Sequence, residues 1–165
     1  MGITYSVTYN TGISNSTINT EDTFLELSGV LLRVKRVRVR MFGTSATVLT
    51  IAGLDTDWKV RLVRKTAGGA TGTAGTAVRM NQAGRTSGAT VTIKNTTTAF
   101  STATLGDIID TAVCNGRAIY EWIARDEEEM IVTHPTLASG GMFAILITSS
   151  TASQVFAVTC DWEEL

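Results

Sequence analysis

Hydrophobic and basic residues alternate strictly over Arg36–Met41, in the segment R-V-R-V-R-M. A period of two residues is typical of a β-strand with one buried face, here with valine and methionine inside and arginine outside. Upstream, Leu32 and Val34 join the apolar face only if an extra residue near Lys35 forms a β-bulge. The pattern therefore predicts a bulged strand over residues 31–42 with one apolar and one basic face.

Similar runs recur along the chain. They predict strands at residues 3–9, 23–27, 58–62, 89–94, 118–124, 130–133, 142–147 and 155–162, with a further apolar stretch at 46–52. The run Met142–Ile147 is almost wholly apolar, as in a central strand buried on both faces. Leu105–Val113 predicts one short helix with Thr104 as its N-cap. Residues 67–77 contain only Gly, Ala and Thr and predict a loop.

Many short strands without a repeat period predict an all-β fold. We expect a single-domain β-sandwich, jelly-roll-like, with at most one short helix. Residues 10–22 are polar with scattered isoleucines, which indicates an arm or a long connection. The chain is therefore divided into an N-terminal strand and arm over residues 1–28 and a β-sandwich domain over residues 29–165.

Charge is balanced overall but unevenly distributed. The chain has 165 residues, of which 18% are charged, and a net charge of −1, so nothing attracts it as a whole to nucleic acid or to an anionic membrane. Residues 31–65 hold nine of the 14 basic residues, and residues 107–165 hold ten of the 15 acidic ones. Such polarity favours either association between copies or pairing of neighbouring strands within one fold.

Residues that could carry chemistry are few. Cys114 and Cys160 lack a C-x-x-C spacing and predict buried free thiols. His134 is the one histidine, so a nucleophile–base pair or a His/Cys metal site is not expected. The run Asp126–Glu129 is typical of a solvated turn or an intersubunit contact. We therefore expect no enzyme activity, no cofactor and no metal site.

No signal peptide or stretch of about 20 apolar residues is visible, so we expect synthesis in a cytoplasm. The basic side chains then have two interpretations. They either face solvent and protect the sheet from edge pairing, or bind carboxylates of another protein. Base stacking is not expected, because no aromatic residues interleave with them. The candidate interface residues are Arg36, Arg38, Arg40, Lys59 and Arg61 in the basic strands, Glu127, Glu128 and Glu129 in the acidic run, and Ile13 and Ile18 in the arm.

Four segments carry a resemblance to a known class of proteins: I-T-Y-S-V, R-V-K-R-V-R-V-R, W-K-V-R-L-V-R-K-T-A-G-G and the final C-D-W-E-E-L. In this order they resemble small β-sandwich virion proteins of tailed bacteriophages, the head decoration or cement proteins. The resemblance implies a jelly-roll-like protomer, usually a trimer, on the capsid surface of the virion. There it would bind the major capsid protein and stabilise the junctions between copies of that protein. The protomer itself would be synthesised in the host cytoplasm. No nucleic-acid or membrane partner is expected.

Similar folds also serve as phage fibre heads or as receptor- and carbohydrate-binding domains, which gives an alternative function. In that case Trp58, Trp122 or Tyr120 would stack on a sugar. Trp58 and Trp122 both fit the inward phase of their strands, which favours the protein core and therefore the structural function.

Overall fold

The computed structural model describes residues 3–13, 18–43, 56–65, 72–80, 85–94, 105–126, 131–133 and 141–165. The strands in these residues are β1 (Ile3–Ile13), β2 (Glu21–Ser28), β3 (Leu32–Gly43), β4 (Asp57–Lys65), β5 (Thr73–Ala74), β6 (Val78–Arg79), β7 (Thr90–Ile93), β8 (Leu105–Asn115), β9 (Ile119–Ile123), β10 (Ile131–Thr133), β11 (Met142–Ser149) and β12 (Val155–Glu164). The fold is all-β, as the sequence predicted.

Two antiparallel sheets form a sandwich. Sheet A has the order β10-β3-β12-β1-β6, with β9 pairing on the same side of β3 as β10. Sheet B has the order β5-β7-β2-β11-β4-β8. Successive strands repeatedly change sheet, from β1 to β2, from β2 to β3 and from β3 to β4. Strands that pair in the centre of each sheet are therefore far apart in the sequence.

The core lies between the two sheets, and aromatic rings connect them. Phe156 of β12 makes edge contacts with Trp58 of β4 and Phe24 of β2, with ring centroids 5.4 and 5.5 Å apart. Tyr5 stacks on Trp162 within sheet A at 5.9 Å. All five rings are fully or almost fully buried. The prediction that the Trp58 side chain points into the core is confirmed.

The predicted bulge in β3 is confirmed. In the register with β12, Asp161 lies opposite Arg36 and Trp162 lies opposite Val34, so Lys35 is the extra residue. On either side of it the alternation is regular, and Leu32, Val34, Val37, Val39 and Met41 are all buried. One inserted residue thus keeps a single apolar face along a strand whose sequence changes phase.

The outer face of sheet B is also buried at its centre. Val63, Ala144 and Leu146 form a second buried cluster, and β11 lies between β2 and β4. The prediction that Met142–Ile147 is a central strand buried on both faces is confirmed.

One expectation needs correction. Leu105–Val113 is not a helix, because it belongs to β8, which pairs along β4 from Lys65 to Asp57. Within residues 1–28, β1 pairs with β12 and β6, and β2 lies between β7 and β11. The division of the chain into residues 1–28 and 29–165 stays a prediction. The apolar stretch at 46–52 lies outside the described residues.

Candidate protein-interaction surface

Arg36, Arg38 and Arg40 project from the outer face of sheet A, while Val37 and Val39 between them point into the core. β3 lies between β12 on one side and β9 on the other, so each arginine has a cross-strand neighbour on both sides. This placement follows directly from the alternation in the sequence, because residues of one parity share one face of a sheet.

Cross-strand carboxylates pair with two of these arginines. Arg36 donates from Nε and Nη2 to Oδ2 of Asp161 at 2.7 and 2.6 Å. Arg38 donates from Nε and Nη2 to Oε1 of Glu121 at 3.1 and 2.6 Å. Lys35 on the bulge lies 3.8 Å from Glu163. The acidic second half of the chain thus partly neutralises the basic first half within one fold.

Arg40 differs from its neighbours, since its guanidinium carbon lies 5.3 Å from the centroid of the Phe42 ring. On β9, Ile119 lies opposite Arg40 and Ile123 lies opposite Arg36, and both isoleucines are exposed. Arginine together with exposed apolar side chains is a composition typical of protein interfaces. We call the surface formed by Arg36, Arg38, Arg40, Ile119 and Ile123 the arginine face.

Lys59 and Arg61 lie elsewhere. They are on the outer face of sheet B, in β4, where the alternating Val60 and Leu62 point into the core. Arg61 pairs with Glu21 of β2, its Nε donating to Oε1 at 2.7 Å. The two basic strands therefore present their charges on opposite sides of the sandwich, and they do not form one continuous basic surface.

The other predicted interface residues are scattered or not described. Ile18 is exposed before β2, and Ile13 is the last residue of β1. Glu127, Glu128 and Glu129 lie outside the described residues, as does His134. The assignment of these residues to an interface stays a prediction.

A cleft of about 480 Å³ lies where β8 of sheet B approaches β9 of sheet A. Its lining residues are Ile109, Glu121, Trp122, Ile123 and Arg125. Trp122 is half-buried and packs against the core on one side, whereas Trp58 is fully buried. The sequence did not indicate this cleft, because it is produced by strands of different sheets that lie side by side only in the folded chain.

The two cysteines differ in environment. Cys160 is fully buried, and burial, with a smaller contribution from Asp161, raises the pKa of its thiol well above the usual value. Cys114 is half-buried in β8, and burial raises its pKa as well. Both are free thiols. Raised pKa values disfavour the thiolate, the form that reacts and binds metals.

Within the part of the chain that the structure describes, no group of three His, Cys, Asp or Glu side chains is placed to hold a metal ion. The same residues contain no helix long and apolar enough to cross a membrane.

No protein-family model matches the sequence, and no curated protein matches it significantly. The structure is similar to the solved structure of a Yersinia pseudotuberculosis-derived mitogen, with 10% identity, 94% of this chain and 83% of that chain covered, and a TM-score of 0.35. It is similar to PirA, with 10% identity, 96% and 93% covered, and a TM-score of 0.34. It is also similar to Desmodium yellow mottle tymovirus, with 9% identity, 98% and 79% covered, and a TM-score of 0.36. Similarities at this level assign no function.

Proposed function

We propose that the protein is a structural virion subunit, a capsid decoration protein that binds the outer shell of a phage head and stabilises contacts between major capsid proteins. The observation that carries the proposal is the arginine face. It joins three outward-facing guanidinium groups and two exposed isoleucines on one sheet. The resemblance of the strand sequences to tailed-phage head proteins supports the same function.

The geometry of the arginine face suits protein binding. Arg36 and Arg38 are held by Asp161 and Glu121, so binding does not have to order two long flexible side chains. Both guanidinium groups remain partly exposed, at 37% and 49%, and a guanidinium carries five donors. They can therefore donate hydrogen bonds to a further carboxylate or carbonyl oxygen while they keep their bonds to Asp161 and Glu121.

In this proposal the subunit has no catalytic role and acts by binding alone. Each contact between a subunit and the shell is weak, and the contacts of one oligomer add up. A trimer with one arginine face per subunit would bind a lattice of equivalent capsid sites through avidity. Arg40 is the residue from which we expect the largest contribution to the contact, since its cation lies over Phe42 rather than in one of the cross-strand ion pairs of Arg36 and Arg38.

Binding to particles that lack the protein tests the proposal. Purified protein is mixed with such particles, and occupancy is measured by sedimentation and electron microscopy. We expect stoichiometric, regularly spaced binding on the shell, with Arg40→Glu weakening it at least tenfold. Lys59→Glu is the matched control, because it makes the same charge reversal on the opposite outer face. Equal loss with both variants, or binding confined to a vertex or the tail, would contradict the proposal.

One observation favours the alternative function of a carbohydrate-binding head domain. Trp122 lines a cleft together with the charged residues Glu121 and Arg125, and a half-buried indole beside polar groups can stack on a sugar ring. Titration with host-surface glycans, followed by tryptophan fluorescence, tests it. We expect saturable binding that Trp122→Leu abolishes, and no response in the wild type would exclude this function.

A further inference from the structure

β8 is the longest strand at the end of either sheet. It has 11 residues, whereas the terminal strands β5, β6, β9 and β10 have two, two, five and three. In the described residues β8 pairs only with β4. Within the residues that the structure describes, its other edge therefore presents a row of backbone N–H and C=O groups with no strand partner. Natural proteins usually keep such edges short, charged or bulged, because a long edge pairs with other chains.

The straight part of β8 lacks these protections. From Asp110 to Asn115 its register with β4 is unbroken, with the irregularities confined to the pairs nearer Leu105. Asp110 is the one charged residue in this part, and its Oδ2 accepts a hydrogen bond from the Tyr120 hydroxyl at 2.6 Å. The carboxylate is thus held toward β9 and does not protect the edge.

Exposed apolar side chains accompany the free edge. Val113 is 72% exposed and Ile108 is 53% exposed. Thr111, which is also exposed, lies between them in sequence. β1 also has a long edge that β6 covers only at Tyr5 and Ser6, but from Val7 to Asn10 its exposed side chains are the polar Thr8 and Asn10. Among the described strands, β9 and β6 also end a sheet and carry exposed apolar side chains, those of Ile119, Ile123 and Val78, but β8 is more than twice as long as either.

We propose that β8 pairs antiparallel with β8 of a second copy of this chain, about a two-fold axis that joins the two B sheets into one. Antiparallel pairing of identical edges satisfies the donors and acceptors of both. The exposed side chains from Ile108 to Asn115 carry no charge, so two copies do not repel each other there. An acidic or basic partner would find no complementary charge on this edge, which favours a second copy over another protein.

The contact is independent of the proposed function. It lies on the edge of sheet B, whereas the arginine face lies on the outside of sheet A. A two-fold contact requires an even number of chains. It would give a dimer, or a hexamer if three-fold contacts also form the trimer proposed above.

Light scattering of the full-length protein tests the inference. We expect a molar mass corresponding to an even number of chains, halved by Val113→Lys, which places a charge on each of the two facing edges. Val78→Lys is the matched control. It changes the same residue type at a similar exposure, 61%, on the terminal strand β6 of sheet A, and should leave the mass unchanged.

Hydrogen exchange gives a second readout that does not depend on a substitution. Among residues 110–115, the alternate amides that point away from β4 should be protected at high protein concentration and lose protection on dilution. Thr111→Lys should reproduce the effect of Val113→Lys on the mass. A wild-type mass of one or three chains, an unchanged mass in Val113→Lys, or an equal decrease in Val78→Lys would overturn the inference.

Discussion

Arg36 and Asp161 face each other across β3 and β12, and the Nε and Nη2 atoms of the arginine lie 2.7 and 2.6 Å from one carboxylate oxygen. The side chain of Asp161 is only 9% exposed. Its charge therefore depends on this arginine for stabilisation. The neighbouring pair of Arg38 and Glu121 has similar geometry but lies in solvent, with side chains 49% and 36% exposed.

This difference predicts unequal costs for two similar substitutions. Arg36→Ala leaves the carboxylate of Asp161 nearly buried without its main donor, so we expect a loss of about 1–2 kcal/mol in the free energy of unfolding. Arg38→Ala removes an exposed ion pair and should cost about 0–1 kcal/mol. Urea unfolding of both variants measures the difference. Equal losses would show that Asp161 is satisfied in another way.

Lys65 and Glu26 form an ion pair whose side chains are 0% and 2% exposed. Lys65→Met removes the cation that faces the buried carboxylate of Glu26, so this substitution alone should destabilise the protein by about 3–5 kcal/mol. The double variant Lys65→Met with Glu26→Leu removes both charges and should recover a large part of that loss. A double-mutant cycle by guanidinium unfolding measures the coupling. Additive effects of the two substitutions would contradict this prediction.

The environment of Glu164, at the end of β12, predicts that the protein loses stability at acidic pH. Its carboxylate accepts hydrogen bonds from the hydroxyl of Ser87, the amides of Gly88 and Ala89, and the indole of Trp162. Burial raises the pKa of Glu164, but these hydrogen bonds outweigh burial, and the pKa lies below its usual value. The resulting stabilisation is complete above the unfolded pKa of about 4.3 and is lost as the pH falls through the lower folded value.

Glu164→Gln should therefore reduce stability at neutral pH and flatten the further loss between about pH 5 and pH 3. Urea unfolding across this range measures the slope. Glu163→Gln is the matched control, since it makes the same change one residue away on the outer face of sheet A. An unchanged acid slope in Glu164→Gln would contradict the prediction.

The bulge at Lys35 predicts that this residue can be deleted. Without it, Val34 and Arg36 become consecutive and the pleat of β3 runs on without a change of phase, in the same register with β12. The deletion loses the hydrogen bond from the Ala124 amide to the Lys35 carbonyl, at a cost of about 1 kcal/mol. Deleting Arg38 instead shifts a regular strand by one residue and turns one part of its apolar face outward.

Circular dichroism and thermal unfolding distinguish the two deletions. We expect the chain lacking Lys35 to fold and to unfold cooperatively, and the chain lacking Arg38 to remain unfolded or to lose most of its stability. If both deletions have the same effect, Lys35 is not a dispensable extra residue.

Several elements could be predicted because their signal is local. The alternation in β3 and β4 and the apolar run in β11 identify strands and their buried faces from neighbouring residues alone. The bulge at Lys35 could be predicted in the same way, because a strand whose alternation changes phase keeps one apolar face only if it contains an inserted residue.

β8 shows where local reasoning fails. Ile108, Ile109, Ala112 and Val113 have a spacing that also fits one face of a helix, and the irregular register near the start of β8 disrupts its alternation. Pairing with β4, at least 40 residues earlier in the chain, outweighs the helical spacing. The cleft beside Trp122 was missed for the same reason, because its walls come from two different sheets.

The sequence by itself determined that β3 and β4 each have an apolar and a polar face, that β11 is apolar on both, and that arginine covers the polar face of β3. Only the tertiary structure decided that β3 and β4 belong to different sheets, so that Arg36, Arg38 and Arg40 lie on the opposite side of the sandwich from Lys59 and Arg61. It also placed Asp161 and Glu121 beside the arginines. Alternation fixes a side chain relative to its own strand, whereas the sheet and the neighbouring strands depend on pairing between segments far apart in the chain.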